Sequence, residues 1–65
     1  MSTFLERLVE EKQQLDEKIE KLEAFTSSEN FSKIDAVQMS LLNIQLFSMK
    51  AYSQCLLERL VYLKD

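Results

Sequence analysis

Residues 36–63, AVQMSLLNIQLFSMKAYSQCLLERLVYL, form an unbroken stretch without glycine or proline, and its reading decides the fold. At 100° per residue with Met49 at the centre, Leu42, Leu46, Tyr52, Leu56, Leu60 and Leu63 fall within about 60° of it. The stretch therefore predicts one helix, roughly 40 Å long at 1.5 Å per residue. Val37, Met39, Leu41, Ile44, Ala51, Cys55, Leu57 and Tyr62 lie outside that arc. They spread apolar character over roughly two thirds of the circumference, more than a helix packed on a single neighbour requires. Asn43, Lys50, Gln54 and Glu58 mark the narrow polar side, with Phe47 among them.

Upstream of this stretch the pattern narrows. Leu5, Leu8, Leu15, Ile19 and Leu22 recur at heptad spacing, with Lys12 where an apolar residue is expected. Thr3 and Glu6 fit a capping box, in which the hydroxyl accepts from a free backbone N–H and the carboxylate reaches back to the cap residue. Thr26-Ser27-Ser28-Glu29-Asn30 is the one polar cluster of low helix propensity, because its short side chains compete for backbone hydrogen bonds. The chain is expected to bend there. Ser28 is a candidate cap for a turn through Phe31 to Ile34, Asp35 with Gln38 is a second capping-box candidate, and Phe25, Phe31 and Ile34 are expected to plug the end of the hairpin. The expected architecture is all-α: a single domain over residues 1–65 with helix one at about 3–25, a connector at 26–35 and helix two at about 36–63. The two helices form an antiparallel hairpin. One narrow stripe cannot cover helix two, and an uncovered apolar face of that extent marks an interface. Hairpins are thus expected to assemble into a homo-oligomeric bundle, a dimer or higher, with Leu42, Leu46, Met49, Leu56, Leu60 and Leu63 at the oligomer interface.

Composition excludes several chemistries. The 65 residues contain no His and one Cys, which removes Cys/His metal sites, Cys-His nucleophile pairs and an intrachain disulfide. Neither a metal nor a cofactor is expected. No nucleophile, base and orienting group stand together, so an enzyme is not expected either. Residues 1–25 carry seven acids against four bases and the remainder four of each, giving a net charge of −3. DNA binding normally requires a basic stripe that releases counterions, and none is present. The N-terminus lacks a basic and then apolar leader, and the apolar runs fall short of the roughly 20 residues of a spanning helix. A cytoplasmic protein with no membrane partner is expected.

Several residues carry two readings. Lys12 either sets register in the seam or snorkels with its ammonium in water. Gln45 and Ser53 lie on the core face and need partners, which a symmetry axis or a ligand would supply. Arg59, Tyr52 and Tyr62 combine a fork-shaped cation with amphipathic rings, suited to holding phosphates and stacking on bases. Their plainer reading is a carboxylate pair for Arg59 and interface packing for the tyrosines. Lys50 and Arg7 are secondary ligand candidates. Cys55 reads as a small hydrophobe. Glu10-Glu11 and Asp16-Glu17 read as a solvated face, and Glu17 with Lys21 as an i,i+4 helix pair.

The runs Glu11-Lys12-x-x-Leu15-x-Glu17-Lys18-Ile19-x-Lys21-Leu22-x-x-Phe25 and Leu42-x-x-Gln45-Leu46-x-x-Met49-x-x-Tyr52-x-x-x-Leu56-x-x-Arg59 resemble the crAss-phage-related short helical proteins encoded by tailed phages. The resemblance covers most of the chain and implies a small phage accessory product acting in the host bacterial cytoplasm. By analogy of size and architecture with phage sponges, the expected role is to sequester a cyclic oligonucleotide immune signal between subunits and so counter host defence. The alternatives are an acidic hairpin that docks on and inhibits a host defence protein, and a purely structural coiled-coil assembly factor.

Overall fold

The computed structural model describes residues 3–63. Helix α1 spans Phe4–Thr26, a 3-10 segment spans Glu29–Lys33, and helix α2 spans Ala36–Tyr62. Thr3 opens α1 with both halves of the capping box: its hydroxyl accepts from the Glu6 N–H at 3.1 Å, and the Glu6 carboxylate accepts from the Thr3 N–H at 3.3 Å. Asp35 opens α2, its carboxylate accepting from the N–H groups of Val37 and Gln38 at 3.0 and 3.4 Å.

The joint is built without glycine because no described residue needs a positive φ. Helix α1 closes on hydroxyls: Thr26 Oγ1 donates to the Glu23 carbonyl at 3.0 Å and Ser28 Oγ to the Phe25 carbonyl at 2.6 Å. These bonds satisfy carbonyls that a helix end leaves without intrahelical partners. Ser28 was expected to cap the following turn, but its side chain serves the end of α1, while only its backbone starts the 3-10 segment. Phe25 and Phe31 then meet edge to face across the bend, ring centres 5.9 Å apart. That contact folds the chain back on itself.

The helices run antiparallel: Phe4 lies beside Arg59, Asp16 bonds Ser53, and Glu23 pairs with Lys50. The molecule is a rod of 48 × 19 × 14 Å. Leu8, Leu15 and Ile19 of α1 and Leu56 of α2 are buried, with Leu46, Met49 and Leu60 packed against them. The heptad of α1 thus faces α2 as its spacing requires, but four of the six leucine and methionine positions expected at an oligomer interface are used inside the hairpin. Tyr52, placed on the core stripe by the helical wheel, is exposed at its edge. The reason is its place on the wheel: Tyr52 lies about 60° from the line of Met49, Leu56 and Leu60 that packs on α1, at the rim of a face that one helix alone covers.

Such a core is small for a chain of this length, since a single core below roughly 70–80 residues rarely supplies more than about 3–5 kcal/mol. Meanwhile Val37, Leu41, Ile44, Phe47, Leu57, Val61 and Tyr62 of α2 stay exposed. No helix among the described residues is long and apolar enough to cross a membrane.

Candidate functional site: the outer face of helix two

Three polar residues join the helices at mid-length. Lys12 Nζ donates to Asp16 Oδ2 at 2.7 Å and to Ser53 Oγ at 3.1 Å, and the Ser53 hydroxyl donates to the other oxygen of Asp16. Lys12 is therefore held across the hairpin, and the snorkelling alternative is replaced by a bonded lysine with 21% of its side chain exposed. Ser53 finds both partners within its own chain, so neither a symmetry axis nor a ligand is needed to satisfy it. Gln45 is exposed, with its amide 3.9 Å from the Met49 sulfur.

The hydrogen bond from Lys12, then that from Ser53, lowers the Asp16 carboxyl below its ordinary pKa. A depressed carboxyl stabilises the fold above its unfolded pKa, and that contribution is lost as pH falls through the folded value. The thermal midpoint is expected to drop as pH is taken below about 4, the ordinary aspartate range. Melting curves of the wild type and Asp16→Asn across acid pH check this: the variant should be less stable near neutrality and show a shallower acid dependence.

On the outer side of α2, Ala51, Gln54, Cys55, Glu58, Arg59 and Tyr62 line an open groove of about 480 Å³. Helical periodicity brings them there, since residues three and four apart share a face. The plainer reading of Arg59 pairs it with a carboxylate of the neighbouring helix. Its guanidinium instead lies over the ring of Phe4, 5.9 Å from the centroid. That is a cation–π contact with helix α1, and the same side chain lines the groove. Cys55 is an exposed thiol in the groove wall, a correction to its reading as a small hydrophobe.

The remaining sequence candidates are dispersed. Tyr52 lies two turns before Arg59, on nearly the same side of α2, about 20° away at 100° per residue. Lys50 faces the other way and pairs with Glu23 of α1. Arg7 is exposed on α1, three residues beyond Phe4. Arg59 and Tyr62 are thus the two candidates that one groove brings together.

A second groove, of about 360 Å³, lies between the helices and is lined by Lys18, Lys21, Leu22, Phe25, Gln45 and Met49. Two ammonium groups beside an aromatic ring and an amide are also suited to an anion, and the sequence reading did not include them. The i,i+3 spacing of Lys18 and Lys21 was visible. Their convergence with Gln45 depends on the register between helices, which no spacing within one helix encodes.

The fold and the groove define a short helical hairpin with a cation and an aromatic side chain on an uncovered face. The family model named Sequestin matches residues 2–62, and the chain belongs to the Sequestin family. It is 39% identical over 64 residues to the uncharacterized 7.5 kDa protein in the denB-rIIB intergenic region of Enterobacteria phage T4, covering 98% of this chain and all of that protein. These matches place it among short phage proteins. The narrower resemblance to crAss-phage-related proteins rests on neither match. No solved structure matches the chain.

Proposed function

We propose that this protein is a binding protein, not an enzyme, which self-associates and sequesters a cyclic nucleotide signal of host immunity in the cytoplasm of the infected bacterium. The observation that carries the reading is the meeting of Arg59 and Tyr62 in one groove on a face of α2 that the chain does not cover. A guanidinium presents a planar fork of donors that matches phosphate oxygens bidentately. A tyrosine ring beside it offers a stacking surface for a base, and stacking tolerates different bases because each has a π-face. The family name Sequestin supports sequestration as the mode of action. The groove is open on one side, and pockets that hold small ligands normally enclose most of their surface, so a second copy is needed to supply the missing wall.

Docking on a host protein through acidic residues has less support. Asp16 and Glu23, two of the seven acids of residues 1–25, are bonded to Lys12, Ser53 and Lys50 within the hairpin.

Calorimetric titration with a panel of cyclic di- and trinucleotides, together with native mass spectra, tests the proposal. Saturable binding to at least one of them by an oligomer is expected. Arg59→Ala should weaken that binding by about 10- to 100-fold, the equivalent of a lost charged hydrogen-bonding partner, with helicity unchanged. Binding lost in Lys18→Ala/Lys21→Ala but kept in Arg59→Ala would move the site to the groove between the helices. Binding to none of the panel rejects the ligand class.

A further inference from the structure

The groove between the helices differs from the outer groove in both charge and setting. Lys18, Lys21, Leu22 and Phe25 share one face of α1, where residues three and four apart are neighbours, and Gln45 and Met49 face them from α2. A single chain therefore supplies both sides of this groove of about 360 Å³.

Its two ammonium groups have no carboxylate partner. Among the described residues the ion pairs are Lys12 with Asp16 and Lys50 with Glu23. The positions three and four residues from Lys18 hold Gln14, Leu15, Lys21 and Leu22, none of them acidic. Glu17 is the one acid at that spacing from Lys21, and the two form no ion pair. With Glu20 it lines a different groove, on the other flank of Lys21. Glu23 follows Leu22 along the chain but is already bonded to Lys50. Lys18 and Lys21 are thus like charges on one helix face, where they repel each other. An anion seated between them relieves that repulsion and is attracted by both.

The rest of the lining suits the body of such an anion. The Gln45 amide donates to the Met49 sulfur at 3.9 Å, and a thioether is a weak acceptor, so this N–H can turn to a stronger one. Leu22, Phe25 and Met49 are half-buried and give the groove an apolar side. The Phe25 ring is held by its edge-to-face contact with Phe31, so the contact that closes the joint also fixes this wall.

We propose that this groove is a second site, separate from that of Arg59 and Tyr62, for a small phosphomonoester with an aromatic body. A monoester carries about two negative charges near neutral pH and so matches two ammonium groups, whereas each phosphate of a cyclic nucleotide is a diester of lower charge. Lysine binds phosphate as a point charge, without the planar fork of arginine. The phosphate lies at Lys18 and Lys21 with the Gln45 amide donating to it, and the ring covers Leu22, Phe25 and Met49. Neither a cyclic nucleotide nor a second copy of the chain is needed.

Chemical-shift titration of isotopically labelled protein tests this with three probes. Phenyl phosphate has the ring and the dianion, benzenesulfonate has the ring with less charge, and inorganic phosphate has no ring. Phenyl phosphate is expected to bind saturably, about fivefold more tightly than benzenesulfonate, the worth of one further charge at contact distance in water. It should exceed inorganic phosphate by about tenfold, the worth of a partly covered ring. Gln45→Glu, at an exposed position, sets a carboxylate beside the lysines and should abolish binding with helicity unchanged. Lys18→Ala/Lys21→Ala should do the same, whereas Lys33→Ala, which removes a lysine outside the groove, should not. Equal binding of all three probes would show adventitious ion pairing and overturn the site. Phenyl phosphate binding that survives Gln45→Glu, or no saturable binding at all, would overturn it too. Binding of phenyl phosphate as expected, with no cyclic nucleotide bound, keeps this site and rejects the Arg59 ligand. Cyclic nucleotide binding that needs Arg59, without phenyl phosphate binding, does the reverse.

Discussion

Leu56→Ala is expected to unfold most of the protein. Leu56 is fully buried, the one α2 residue in a core otherwise made by Leu8, Leu15 and Ile19 of α1. Removing a buried leucine side chain to the β-carbon costs about 2–5 kcal/mol, from lost transfer energy and the cavity left behind. A core of this size supplies about 3–5 kcal/mol in total, so the loss is comparable to the whole stability of the hairpin. The local geometry leaves little scope for relaxation, because two helices offer no third layer to collapse into the void. Far-ultraviolet circular dichroism with thermal melts checks this, and the expected result is a large loss of helical signal at low micromolar concentration. Leu57→Ala is the control: its neighbour is 42% exposed, and the change should cost well under 1 kcal/mol. Leu56→Met, which conserves volume, should retain most of the stability. A Leu56→Ala protein that melts like wild type would mean that the hairpin core is not what holds the chain together.

How much of this was legible in the sequence depends on whether one helix or two are needed to see it. The Thr3 and Glu6 capping box, the Leu8–Leu15–Ile19 seam and the bend after Phe25 are local: each follows from spacing along one segment and appears as read. The Lys12, Asp16 and Ser53 cluster is not local. Lys12 and Asp16 are four apart on α1, so their pairing was available in principle, but Ser53 enters only once the register of α2 against α1 is set. Periodicity gives the width of an apolar stripe and not how much of it a single neighbour covers. The wheel centred on Met49 has the right rotation, since Leu56 and Leu60 flank that centre by about 20° on either side, but Tyr52, about 60° away, falls at a rim that one facing helix leaves in water. The same excess of apolar residues that blurred the core face of α2 is what made its outer face legible as an interface candidate. Of the ligand candidates, Arg59 and Tyr62 sit three apart and share a groove by helical geometry. Lys50, nine residues before Arg59, stands about 180° around the helix from it, so its separation was legible as well, and only its partner Glu23 needed the other helix.

Ala51→Glu is expected to separate assembly from folding. Ala51 is exposed in the single chain, and glutamate is nearly as good a helix former as other straight-chain residues, so the hairpin should keep its helicity. In a pair formed along the uncovered face of α2 the same position is covered, and the carboxylate would lose water without gaining a partner. Burying an unpaired charge in an interface costs several kcal/mol, and every 1.4 kcal/mol is tenfold in affinity, so dimerisation should weaken by at least about 100-fold. Sedimentation or native mass spectrometry of Ala51→Glu should show a helical monomer, and Asn43→Glu, an exposed site on the polar side of α2, should leave the assembly unchanged. The outer groove would then have a single wall, so nucleotide retention should fall with the dimer even though Arg59 and Tyr62 are untouched. Leu56→Ala and Ala51→Glu thus act on opposite faces of one helix: the first removes the fold and with it everything else, the second removes the partner and leaves the fold. An Ala51→Glu protein that remains a dimer would place the interface elsewhere, whereas one that is monomeric yet binds nucleotide with full affinity would show that a single hairpin suffices for the ligand.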